Sequence, residues 1–95
     1  MATRRLRKVD TSGKPAKLSL SEIDQRELFG PDNNYVREIE LEFPVKIIAR
    51  GDELQIYGNP EDIEKVKEIF EQMIRHVQGG GILTEQALAY AIKIV

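Results

Sequence analysis

The sequence predicts an α+β fold: a three-stranded sheet with its helices on one face and an added helix at the C-terminal end. Three observations predict it. Residues around Leu18, and then from Val45 to Gly58, alternate apolar and polar side chains with the period of half-buried strands. From Ile63 to Val77 the apolar residues instead recur at helical spacing. Glycine and proline clusters separate these segments where the chain must turn. With 95 residues, 41% hydrophobic and 32% charged, the chain supplies one core.

In chain order, residues 1–15 lack apolar periodicity and end in the breaker cluster Thr11-Ser12-Gly13-Lys14-Pro15, so they read as a flexible basic arm. Ala16, Leu18 and Leu20 alternate with Lys17, Ser19 and Ser21 as a strand. Ser21 is placed to cap a short helix from Glu22 to Leu28, with Glu22 and Asp24 in its first turn. Gly30-Pro31-Asp32-Asn33 breaks that helix. A second helix carries Val36, Ile39 and Phe43 at helical spacing, with Tyr35 adjoining the face, and Pro44 ends it. Val45, Ile47 and Ala49 form the inward face of the next strand and Lys46, Ile48 and Arg50 its outward face.

Gly51-Asp52 is a two-residue hairpin signal, since such turns need a residue that accepts positive φ. Leu54 and Ile56 continue the inward face to Gly58. Asn59 then caps the long helix, Pro60 takes its first position, and Glu61 and Asp62 favour its positive end. Its stripe is Ile63, Val66, Ile69, Phe70, Met73, Ile74 and Val77. Gly79-Gly80-Gly81 stops it, and residues 79–83 read as a glycine-rich linker. Thr84 caps the final helix over 84–95, with Leu83 and Leu88 spaced as a hydrophobic staple.

Net charge is −2 but unevenly placed. Residues 1–17 hold six cations against Asp10, a balance of +5; the other eight cations and 15 acids leave −7 over 18–95. A basic tail on an acidic body marks an arm for nucleic acid or an acidic surface, or a solvated leader. Cysteine is absent, which removes disulfides, thiolate metal sites and cysteine nucleophiles and suits a reducing cytoplasm. No apolar run is long enough for a membrane span or a secretory signal, so the expected location is cytoplasmic.

The order strand, helix, glycine loop, helix, hairpin, long helix resembles the K-homology (KH) fold of the type I order β-α-α-β-β-α, here spanning residues 16–78. The stretch Leu28-Phe29-Gly30-Pro31-Asp32-Asn33-Asn34-Tyr35-Val36-Arg37-Glu38-Ile39 carries the resemblance, with Val36 and Ile39 three and six places after the loop. KH domains show a G-x-x-G loop there, whose backbone approaches nucleotide phosphates beside a groove for about four nucleotides. This chain departs from that pattern: Asn33 replaces the second glycine, and Pro31-Asp32 stands where basic residues are common. Asn tolerates left-handed backbone, whereas Asp32 repels a phosphate and Pro31 lacks an amide donor.

Glu27-Leu28-Phe29-Gly30-Pro31-Asp32-Asn33, Ala49-Arg50-Gly51-Asp52-Glu53-Leu54, Ile56-Tyr57-Gly58-Asn59 and the segment Leu83-Thr84 through Ala91-Ile92 are similar to the N-terminal KH-like domain of PhoH-family proteins. The resemblance implies a parent protein with a P-loop ATPase domain using ATP and magnesium, and a link to RNA metabolism. This chain carries no Walker loop. Its one Gly-Lys, Gly13-Lys14, precedes Pro15 and lacks the earlier glycine, and Gly79-Gly80-Gly81 has no lysine beside it. No catalytic, cofactor or metal site is therefore expected within the chain itself.

The candidate RNA-binding residues are Gly30, Pro31, Asp32, Asn33, Arg37, Lys46, Arg50 and Tyr57, with the arm cations Arg4, Arg5, Arg7 and Lys8. Tyr57, opposite the Leu54/Ile56 face, is either a base-stacking ring or an ordinary packing residue. His76 reads as a helix-end residue, and Glu38, Glu40 and Glu42 as a solvated face instead of a metal cluster. Two functions follow as expectations. One is a module that binds single-stranded RNA and presents it to the ATPase. The other is an interaction domain that packs on that ATPase domain or on sister subunits.

Overall fold

Alternation along three short segments builds the sheet. The computed structural model describes Val9, Thr11 and residues 13–95. Strand β1 (Ala16–Ser19), β2 (Val45–Arg50) and β3 (Glu53–Gly58) form one antiparallel sheet in the order β1-β3-β2. The register pairs Leu18 with Leu54 and Ile47 with Ile56, so the apolar residues of all three strands share one face. Residues 51–52 close the β2–β3 hairpin, and Gly51 takes the positive φ that the turn requires.

Helices α2 (Asn34–Glu42) and α3 (Pro60–Gln78) pack on that sheet, and α1 (Gln25–Phe29) and α4 (Glu85–Ile94) pack on those two helices. The element order is β-α-α-β-β-α with the added helix. The stripe of α3 supplies the centre of the core: Val66, Ile69 and Phe70 are fully buried against Leu54 and Ile56 of β3 and Leu28 and Ile39 of the shorter helices. Ala49, on edge strand β2 beside the hairpin, is exposed although it shares the parity of Val45 and Ile47 and its partner Leu54 is fully buried.

Several local expectations are corrected. Helix α1 begins at Gln25, not Glu22, because Ser21 and Glu22 are used in a turn that Ile23 N–H closes onto the Leu20 carbonyl. Glu22 sits there at φ 63°. Asp24 is the cap, its Oδ1 accepting from the Arg26 amide at 3.0 Å, with half-buried Ile23 before it and buried Leu28 after it at staple spacing. On α2 the fully covered residues are Tyr35 and Ile39, whereas Val36 is only half-buried. Asn59 holds the cap position of α3 without a side-chain capping bond.

The glycine run after α3 is a helix stop that folds the chain back. Gly81 N–H reaches the His76 carbonyl and Gly80 N–H the Val77 carbonyl, the paired bonds of a Schellman turn, and Gly80 has the φ of 89° that such a turn demands. His76 Nε2 lies 3.1 Å from the carbonyl oxygen of Ile82 and donates to it. The reversal brings Leu83, Leu88 and Ala91 into the same core as α3. The Thr84 side chain caps α4 by accepting from the Ala87 amide. No helix among the described residues is long and apolar enough to cross a membrane.

Candidate nucleic-acid interface

The loop that follows α1 is set by one glycine and two left-handed residues. Gly30 has φ 80° and ψ 175°, a region open to glycine almost alone. A Cβ placed on it would lie 2.7 Å from the Tyr35 ring, so the absent side chain makes room for that ring. Asp32 (φ 53°, ψ 32°) and Asn33 (φ 58°, ψ 31°) follow in left-handed conformation. Together they form the centre of a tight turn in which the Asn34 amide bonds to the Pro31 carbonyl. Asn33 thus does take the left-handed backbone that a second glycine would supply.

Tyr35 holds this loop to the rest of the molecule. Its ring lies under Gly30, and its buried hydroxyl donates to the Leu83 carbonyl at 3.1 Å. The loop, the start of α2 and the approach to α4 are therefore one packed unit. Arg37 of α2 donates to the Asp32 carbonyl. The hollow beside the loop is lined by Asp24, Glu27 and Asp32 against the single cation Arg26. A second hollow, between α2 and α4, carries Glu38, Glu42 and Glu85 against Lys93. Both are unfavourable places for a phosphate.

The other candidate residues lie elsewhere. Strand parity sends Lys46 and Arg50 to the sheet face away from the helices, and Tyr57, paired with Lys46, joins them. Lys17, paired with Gln55, extends the same face onto β1. Gln55 Nε2 donates to Glu53 Oε1 at 2.9 Å, and the Tyr57 hydroxyl donates to Gln55 Oε1 at 3.3 Å. The sequence-derived set therefore divides: Gly30, Pro31, Asp32, Asn33 and Arg37 belong to the helical side, while Lys46, Arg50 and Tyr57 belong to the open sheet face. Arg4, Arg5, Arg7 and Lys8 lie outside the described residues.

Sequence reasoning missed the anchoring roles of two residues. Glu40, grouped with Glu38 and Glu42 as a solvated face, is half-buried, and its Oε2 accepts from the Ile47 amide on edge strand β2 at 2.9 Å. Gln25 Nε2 donates to the Gly51 carbonyl at 2.7 Å, tying α1 to the hairpin. Lys17, read from the sequence as a polar position of the first strand, is not among the sequence-derived candidates, yet its pairing with Gln55 puts it on the same face as Lys46 and Arg50. Among the described residues no group of three or more His, Cys, Asp or Glu is placed to hold a metal ion. Compared with protein-family models, curated proteins and solved structures, the chain gives no significant match.

Proposed function

We propose that this chain is a KH-like module that binds single-stranded RNA and, within a PhoH-like parent protein, presents it to a P-loop ATPase domain. The observation that carries the reading is the order β-α-α-β-β-α with a tight left-handed turn at Gly30-Pro31-Asp32-Asn33 between the first two helices. The resemblance to PhoH N-terminal domains, read from short motifs of the sequence, rests on that same loop, the hairpin and the final helix. Cations at positions 4, 5, 7 and 8 precede the fold and add a phosphate-attracting segment. ATP and magnesium belong, on this reading, to the ATPase domain and not to this chain.

The test is fluorescence anisotropy of labelled single-stranded RNA with the whole chain at several salt concentrations. Saturable binding that weakens with salt is expected, with a log–log slope of about −0.7 per phosphate contact. A flat titration at low salt favours the second reading, an assembly domain that packs on the ATPase domain or on sister subunits. Exposed Ile82, Tyr90 and Ile94 on and before α4 favour that reading, since large apolar side chains suit a protein contact.

A further inference from the structure

The two sides of the molecule differ in charge in a way that the glycine loop does not predict. On the helical side, the hollow at Gly30 carries three acids and one cation, and so does the hollow between α2 and α4. On the open sheet face, the outward residues include Lys17, Lys46 and Arg50 against one acid, Glu53. The body as a whole is acidic, so this face runs against the average. An anionic chain approaching the body is repelled from the helices and attracted to the sheet.

The sheet face also has the spacing that a strand of nucleotides needs. Lys46 and Arg50 are four residues apart on β2, about 13 Å, and Lys17 stands two strands away from Ile48, about 10 Å. Three cations therefore frame the face without crowding its centre. Tyr57 lies beside Lys46 in the register, half-buried, with its hydroxyl hydrogen-bonded to Gln55. A ring restrained along a flat face beside cations is a platform for a base, because every base has a π-face and its phosphate then meets a cation.

We infer that single-stranded RNA lies across the open face of the sheet, with its phosphates on Lys17, Lys46 and Arg50 and a base on Tyr57, and not in the groove beside Gly30. This rests on the RNA-binding reading above and changes where the contact is made. It also gives the Gly30 loop a different purpose: the glycine serves the packing of Tyr35, and Arg37 is engaged by the loop's own carbonyl.

The test uses the whole chain and a labelled oligouridylate of about eight nucleotides, twice the length a four-nucleotide groove holds. Exposed side chains are changed, and each variant's melting curve is checked first. Lys46→Glu with Arg50→Glu is expected to weaken binding tenfold or more and to flatten the salt slope by about 1.4, two contacts' worth. Lys17→Gln, on a different strand, is expected to flatten it by about 0.7, so the result does not depend on β2 alone. Tyr57→Leu keeps an apolar strand residue and is expected to lose roughly fivefold or more through stacking. Asp32→Ala is expected to stay within twofold of wild type. If wild type binds and the sheet variants match it, the sheet placement is overturned while RNA binding stands. If wild type itself does not bind at low salt, the RNA reading falls and this inference falls with it.

Discussion

The buried and open faces of the sheet are made from alternate residues of the same three strands, yet they have different tasks. Inward, Leu54 and Ile56 are fully enclosed by α3 and the shorter helices. Outward, Lys46 and Arg50 are exposed and Tyr57 and Gln55 only half-covered. A period-two pattern therefore allows one strand to hold the fold together with one set of side chains and to offer charge with the other. The helical side, where a glycine loop first draws attention, belongs to the structural half of this division: Gly30, Tyr35 and Leu83 form a packed contact.

That division predicts that inward and helical-side changes lower stability, while outward changes lower binding and leave stability alone. The largest loss is expected for Phe70→Ala, a fully buried ring at the centre of the core, at about 3–5 kcal/mol. Ile69→Ala, its enclosed neighbour, should cost about 2–5 kcal/mol. Urea unfolding measures both, and a loss under about 1 kcal/mol at either would mean the core is centred elsewhere. Gly30→Ala comes next. The glycine-only backbone costs about 1–3 kcal/mol, and the clash with the Tyr35 ring adds to it. Were Gly30→Ala neutral in stability but weak in RNA binding, the loop would be a recognition element and the two-sided division would fail.

Smaller effects sharpen the comparison. Tyr35→Phe removes the buried bond to the Leu83 carbonyl and should cost about 1 kcal/mol. Thr84→Ala removes the cap of α4 and should cost a similar amount, about 1 kcal/mol. Lys46→Ala should change stability by no more than about 0.5 kcal/mol, being exposed on an edge strand. Thermal or urea melts of the three, run beside RNA titrations, separate structural from binding roles. A Lys46→Ala variant that unfolds as easily as Tyr35→Phe would put that lysine among the structural residues.

Much of the fold was legible because its signals are redundant. Helix α3 carries Pro60, two first-turn acids, a full stripe and a glycine stop, and the hairpin carries Gly51-Asp52 between alternating strands. The start of α1 was misplaced because Ser21 and Asp24 are both good caps. The signals that favour Asp24 are Glu27 three residues on and the Ile23/Leu28 pair at staple spacing. On α2, Tyr35 displaced Val36 from the covered position because its contacts are with Gly30 and Leu83, distant in sequence or set by a backbone angle. The division of the candidate site was legible in part: strand alternation already sends Lys46 and Arg50 away from the core. What alternation does not give is the side on which the glycine loop sits, or the run of acids around it, because those depend on how helices dock.

The most direct test is a nuclear magnetic resonance titration of the whole isotope-labelled chain with the same oligouridylate, following each backbone amide. Binding on the open face predicts progressive shifts at Lys17, Lys46, Ile48, Arg50, Gln55 and Tyr57, fading as salt is raised. The amides of Gly30, Asp32, Asn33 and Arg37 should stay in place. Shifts concentrated from Gly30 to Arg37, with the three strands silent, would contradict the assignment and return recognition to the glycine loop.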